Sequence, residues 1–174
     1  MAIQAGTYKL GPENATLHVQ TGRNGAAAKA GHDLTIDVQS WDATLEVGDS
    51  SSLQLSADPT SLHVREGKGG LQALGEDDKA DIRKTIDKDV LKKKSITFQS
   101  TSVEPAGDGL KVTGDLEMGG KTKPVTFDLS ESDGTLTGSA AVKQTDWGIK
   151  PYSALFGALK VNDEVKVVVE AKLG

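Results

Sequence analysis

The sequence predicts a small all-β fold: an extended antiparallel up-and-down β-barrel with one short amphipathic helix at about residues 75–93. Two observations predict it. About nine segments alternate apolar and polar residues, as half-buried strands do, and turn-forming Gly, Asn, Asp and Ser separate most of them at short intervals. A closed barrel is favoured over an open sheet because no proline is placed to blunt two exposed sheet edges.

Composition limits the classes of protein to consider. The 174 residues are expected to form one domain over 1–174, and the net charge of −5 argues against nucleic acid as the main partner. With no cysteine, there is no disulfide framework and no thiolate metal site. The chain as given has neither a leader-like start nor a stretch of roughly 20 apolar residues, so we expect a cytoplasmic protein without stable membrane insertion.

The first half of the chain supplies four predicted strands. They are, in order, residues 15–20, 34–38, 41–47 and 53–57. Arg23-Asn24-Gly25 predicts a hairpin turn between the first two, because Asn-Gly tolerates the positive φ angles of a type I′ turn. A further turn is expected near Ser40. From residue 62 to 70 the alternation weakens and predicts no strand.

The helix follows from a change of period. Ile82, Ile86 and Val90 are four residues apart and share one helical stripe. Acidic residues gather at its start and lysines at its end, which suits the helix dipole. The lysine run is therefore interpreted as structural rather than as a phosphate-binding patch.

The second half of the chain alternates again. Its predicted strands are residues 96–103, 110–118, 125–129, 136–142 and 165–169. Turn sequences separate them at 107–109, 119–120, 132–134 and 162–163. Between the last two strands, residues 144–161 carry three of the seven aromatic residues, an unusual content for a surface connection.

The alternation predicts an apolar cavity that holds a ligand. Twelve strand residues are expected to face inward and bind it: Leu17, Val19, Leu34, Ile36, Val38, Leu55, Ile96, Phe98, Leu116, Met118, Phe127 and Leu129. The aromatic residues Trp147, Tyr152 and Phe156 are expected near an opening, either packed in a core or lining the ligand. His32 and Lys150 are the candidates for contact with a ligand head group.

No motif for catalysis, cofactor binding or metal binding is recognisable. His18, His32 and His63 lack the spacing of metal ligands, and there is neither a G-x-S-x-G turn nor a phosphate-binding loop. We therefore predict no catalytic residue, no cofactor and no metal. His32 is the histidine of most interest because Gly31 precedes it at the start of a predicted strand.

Four segments together resemble a known family. They are AGHDLTI at 30–36, ITFQST at 96–101, VTGDLEMGGKTKPV at 112–125 and DWGI at 146–149. In this order, with a helix before the second segment, they resemble the YceI family of lipocalin-like polyisoprenoid-binding proteins. The resemblance implies an eight-stranded antiparallel barrel that binds a long isoprenoid chain inside, with no catalytic residues.

Three functions remain open from sequence. The first is binding, storage or transport of an isoprenoid or another long-chain apolar small molecule, with a homodimer left open. The second is a small enzyme that uses the same cavity, with His32 and a carboxylate as acid and base. The third is an interaction or stress-related protein whose barrel is filled by its own side chains.

Overall fold

A computed structural model describes residues 3–70, 74–154 and 159–173. These residues form fourteen strand segments, a helix α1 (Glu76–Thr85) and short 3-10 turns. The strands are β1 (Gly6–Leu10), β2 (Ala15–Gln20), β3 (Arg23–Asn24), β4 (Asp33–Val38), β5 (Trp41–Val47), β6 (Ser52–Ala57), β7 (Leu62–Lys68), β8 (Ile96–Ala106), β9 (Gly109–Met118), β10 (Lys121–Ser132), β11 (Thr135–Lys143), β12 (Ser153–Ala154), β13 (Leu159–Val161) and β14 (Glu164–Lys172).

Eleven of these segments form one antiparallel sheet, in the order β1-β5-β6-β8-β9-β10-β11-β14-β2-β4-β7. β4 runs directly into β5 and β6 into β7, and the ladder continues across both bends. Gln39 N donates to Ser61 O and Asp58 N donates to Ser40 O, each at 3.0 Å. The bent strands therefore connect the two ends of this order, and the sheet curls into a barrel. The predicted antiparallel barrel is confirmed.

The helix lies between β7 and β8, as expected. α1 is followed by a π-helical turn at Ile86–Val90, and the chain then reverses at Lys92 and Lys93, whose φ angles are 53° and 58°. The helical part is thus shorter than the predicted 75–93. No helix in the described ranges has the length and apolar character needed to cross a membrane.

Three local predictions were wrong. Arg23-Asn24-Gly25 is not a hairpin turn, because Arg23 and Asn24 pair with β13 and twelve residues separate β2 from β4. Gly25 does adopt a positive φ of 99°, so the Asn-Gly signal marks a bend with a different partner. The strand β7 was missed because its pairing with β4 shifts register between Thr35 and Ile36. Arg65 has no opposite residue in the ladder there, and the apolar–polar alternation of the strand is interrupted. The strand β1 was also missed, because its five residues are too few for an alternating pattern to stand out.

The core is concentrated inside the barrel. Its most deeply buried large side chains include Leu45, Val112 and Leu136, which are 0%, 0% and 1% exposed. A second cluster of Val142, Trp147 and Ile149 packs against wall residues of β9, β10 and β14. The core of the described residues thus has two parts, of which the barrel interior is the larger.

Candidate functional site

The barrel encloses a chamber of about 560 Å³. This volume lies within the range of about 300–1,000 Å³ that is usual for small-molecule sites. Its wall is formed mainly by aliphatic side chains that point inward from the strands. The chamber is therefore suited to an apolar molecule.

Strand alternation places the wall residues. All twelve strand residues expected to face inward line the chamber: Leu17, Val19, Leu34, Ile36, Val38, Leu55, Ile96, Phe98, Leu116, Met118, Phe127 and Leu129. Every second residue of a strand points to the same face, so a period of two in the sequence becomes a continuous inner surface. That these residues bind a ligand remains a prediction.

One end of the chamber is closed. Leu45, Leu53 and Leu136 line it there, whereas the buried Val112 packs beyond the chamber. The tight hairpins at residues 48–51, 107–108 and 133–134 lie at this end of the strands. We call it the closed end.

Two phenylalanines help to form the inner wall. The ring centroids of Phe98 and Phe127 are 5.5 Å apart, and the two ring planes are inclined to each other by 56°. Gly114 leaves room for the Phe98 ring, because a Cβ at this position would lie 2.5 Å from Phe98 Cζ. The inner wall beside Phe98 thus depends on a glycine opposite this large aromatic side chain.

The other end, called the open end, carries the polar part of the wall. Arg23, His32, Gln144 and Lys160 line the chamber there. Arg23 and Lys160 belong to the short strands β3 and β13, His32 directly precedes β4 and Gln144 directly follows β11. The Arg23 guanidinium donates to Gly31 O and lies 3.5 Å from the Asp33 carboxylate. Gln144 Nε2 donates to Asn162 O at 3.0 Å. A ligand would therefore meet charged and amide groups at this end, and further hydrogen-bonding groups at Ser139, Asp81 and Thr85 elsewhere in the wall.

The helix also contributes to the wall. Ile82 and Ile86 line the chamber, together with Asp81 and Thr85. Ile82 and Ile86 of the helical stripe predicted from sequence thus face the chamber, although neither was predicted as a site residue. Its four-residue period was the signal that could have identified them.

The structure separates the three aromatic residues expected near an opening. Tyr152 lines the chamber and is 53% exposed. Trp147 does not line it: the side chain is 4% exposed and its Nε1 donates to Leu116 O at 2.9 Å, so it supports the wall from the second cluster. Phe156 lies outside the described residues. Lys150 is exposed and does not line the chamber, in contrast to His32.

Hydrogen bonds hold the connection that carries Gln144. The Asp163 carboxylate accepts from Thr145 Oγ1 at 2.7 Å and from Thr145 N at 2.8 Å. The side-chain hydrogen bond is the main reason that the pKa of Asp163 lies below its ordinary value. This pair ties the start of β14 to the turn after β11.

The part of the chain that the structure describes contains no cluster of three metal-ligating side chains. His18 lies outside the chamber. Its pKa is lowered by partial burial and, secondarily, by the positive charge of Arg65. The described residues thus form an apolar chamber whose open end, also called the mouth, carries polar side chains.

Several wall residues were missed by sequence reasoning. Leu45, Leu53 and Leu136 belong to strands that were recognised, so extending the inward set along each strand would have found them. Arg23 and Lys160 lie in β3 and β13, which have two and three residues and are too short for alternation to be recognised.

Sequence comparison matches this chain to one family of proteins. A family model described as a YceI-like domain matches residues 8–173. A UPF0312 protein of Pseudomonas aeruginosa is 38% identical over 71 residues, which cover 35% of this chain and 37% of that protein. Protein YceI of Escherichia coli is 42% identical over 57 residues, covering 31% and 30%. These matches span little more than a third of the curated relatives.

Solved structures show the same fold at low sequence identity. BcnA of Burkholderia cenocepacia superposes with a TM-score of 0.64 and 18% identity, covering 90% of this chain and 94% of BcnA. The YCEI protein of Campylobacter jejuni gives a TM-score of 0.55 at 13% identity, covering 79% and 82%.

Proposed function

This chain belongs to the YceI-like family, and from that membership and the chamber geometry we propose that it binds, stores or carries an apolar long-chain small molecule. The single observation that carries the proposal is the aliphatic chamber of about 560 Å³ with one polar mouth. The ligand class is a polyisoprenoid or a related lipid or quinone. The proposed role is binding rather than catalysis.

The energetics support a chain ligand without a charged anchor. Burying a methylene gains about 0.8 kcal/mol, so ten to fifteen carbons gain roughly 8–12 kcal/mol before the cost of association. Arg23, Gln144 and Lys160 line the open end, so we place the tail toward the closed end and the head group at His32. Lys150 would reach only a head group that projects out of the mouth.

The observed cavity also favours this function over a barrel filled by its own side chains. A filled barrel would leave little space beyond that of single water molecules, whereas this chamber has the volume of a ligand site.

The cytoplasm is the proposed location of the protein. Fractionation of host cells, followed by detection of the protein with an antibody, would test it.

Two neighbouring substitutions on β2 test the chamber. Val19 lines it, whereas Gln20 is exposed on the outer face. Val19→Asp places a carboxylate against the ligand chain and is expected to weaken binding of a fluorescent prenyl probe by at least about 100-fold, through the cost of desolvating the charge. Gln20→Asp introduces the same charge outside and should leave binding within about twofold.

Thermal melting of the same preparations separates binding from folding. An unliganded chamber admits water, so Val19→Asp should remain folded. Equal probe binding by the two variants would contradict the proposal. Protein purified gently from its own host should also yield a prenyl or acyl lipid by organic extraction and mass spectrometry, and neither extracted lipid nor probe uptake would favour the filled barrel.

A further inference from the structure

Five lysines gather where three turns meet beside the chamber. Lys92, Lys93 and Lys94 precede β8, Lys121 begins β10, and Lys150 follows the turn after β11. A Cβ on Gly120 would lie 4.0 Å from Lys94 Cε, and a Cβ on Gly148 would lie 4.0 Å from Lys121 Cδ. The three turns are thus in contact, and all five side chains, here called the rim lysines, are exposed.

The rim lysines border the ligand space directly. Leu91, Met118 and Ile149 line the chamber and lie one to three residues from a rim lysine along the chain. Tyr152, two residues after Lys150, lines the chamber and is the one large hydrophobic side chain among the described residues that is clearly exposed. A positive surface and an exposed tyrosine therefore adjoin the chamber together.

The opposite end of the barrel has the opposite charge. In and beside its hairpins are five exposed acidic residues, Glu46, Asp49, Glu104, Asp108 and Asp133. Acidic residues also lie near the rim lysines, among them Asp87, Glu117 and Asp146, and Asp87 O accepts from Lys93 N at 2.8 Å. Lys111 and Lys172 are exposed at the opposite end. The chain is thus polarised along the barrel, although its net charge is −5.

We propose that the rim lysines dock the open end of the barrel on an anionic lipid bilayer, with the chamber facing the membrane. Each lysine near such a surface strengthens binding by about fivefold, and tyrosine favours the boundary between water and lipid. The acidic closed end is repelled by the same surface, so the charge distribution selects one orientation. The docking site extends the proposed function, since an apolar ligand of the chamber would be exchanged with that membrane.

The experiment measures partition of the full chain into phosphatidylcholine vesicles with and without about one third phosphatidylglycerol. The test variant is Lys94→Gln/Lys121→Gln, and the matched control is Lys111→Gln/Lys172→Gln at the closed end. Both variants change the net charge equally. Two lost rim lysines should weaken binding to anionic vesicles by about twentyfold, and the control pair by less than about threefold. About 0.5 M salt should remove most of the wild-type binding.

Binding of the prenyl probe without vesicles keeps this inference separate from the chamber. The test variant should bind the probe as the wild type does. Vesicle binding with no probe uptake by any form would reject the chamber ligand and leave the docking surface in place. Equal losses in the two double variants, or wild-type binding that does not depend on anionic lipid, would overturn the docking surface. Retention on immobilised polyglutamate without vesicle binding would also overturn it, in favour of an acidic protein partner.

Discussion

The two ends of the barrel are built from the same strands but differ in their connections. At the closed end, short hairpins join the strands and Leu45, Val112 and Leu136 are almost completely removed from solvent. At the open end, the strands run into longer segments such as residues 21–32 and 144–152, and the wall includes Arg23, His32 and Gln144. The open end also has one tight hairpin, at residues 119–120, so the two ends differ in these longer connections.

The two ends of the barrel should therefore contribute differently to stability and to ligand binding. Buried aliphatic packing contributes about 25 cal/mol per Å² of apolar surface, and the closed end has little free space to lose. Toward the open end, wall residues such as Leu34 and Met118 border the chamber and are only half-buried in the free protein. The closed end should therefore dominate the free energy of unfolding, and the open end should dominate the response to a ligand.

The largest expected effect comes from truncating the closed end. Leu45→Ala should lower the free energy of unfolding by about 3 kcal/mol, because it removes a fully buried side chain at the closed end of the chamber. Leu34→Ala, at a half-buried wall position near the mouth, should cost less than about 1.5 kcal/mol. Urea unfolding without ligand measures both. Equal losses would show that stability is spread evenly along the barrel.

A second substitution tests the inner wall between the two ends. Gly114→Val introduces a side chain where Phe98 Cζ and Gln99 O would each lie 2.5 Å from Cβ. The overpacking should destabilise the protein by about 1–3 kcal/mol in the same urea experiment. Gly48→Val is the control, because nothing lies within 4 Å of a Cβ there. If Gly114→Val is as stable as the control, the Phe98 ring can move without cost.

A smaller effect is expected from a polar residue of the open end. His32→Gln should leave affinity for the prenyl probe within about tenfold, because one hydrogen bond contributes roughly 1 kcal/mol beside many apolar contacts. Fluorescence titration measures the affinity, and the melting temperature serves as the folding control. Complete loss of binding by a folded variant would make His32 an essential anchor or raise the enzyme hypothesis again.

The smallest effect concerns pH and the outer wall. The pKa of His18 is lowered in the folded protein by burial, so the unfolded chain binds this proton more readily. The free energy of unfolding should therefore fall as pH drops below the ordinary histidine value of 6.5. His18→Gln should remove this part of the pH dependence, which urea unfolding at several pH values would detect. An unchanged slope would assign the dependence to other groups.

The sequence predicted the barrel because its strands obey a strict period of two. The same period located the twelve strand residues that line the chamber, and the helix stripe located α1. It could not locate Arg23 or Lys160, whose positions depend on the pairing of Arg23 and Asn24 with β13 far along the chain. It left open whether Trp147 packs in a core or lines the ligand, because composition shows that an aromatic residue must be buried but not on which side of the wall. The hydrogen bond to Leu116 O decides that side.

The pairing of β2 with β14 has a consequence for synthesis. His18 pairs with Val168, so this ladder joins residues roughly 150 positions apart, and such non-local pairing forms slowly. At about 5–20 residues per second, on the order of ten seconds pass between translation of the two strands. The barrel cannot close on the ribosome while β14 is missing, and one edge of β2 lacks its partner until then. The chamber can therefore be enclosed only after β14 has been synthesised.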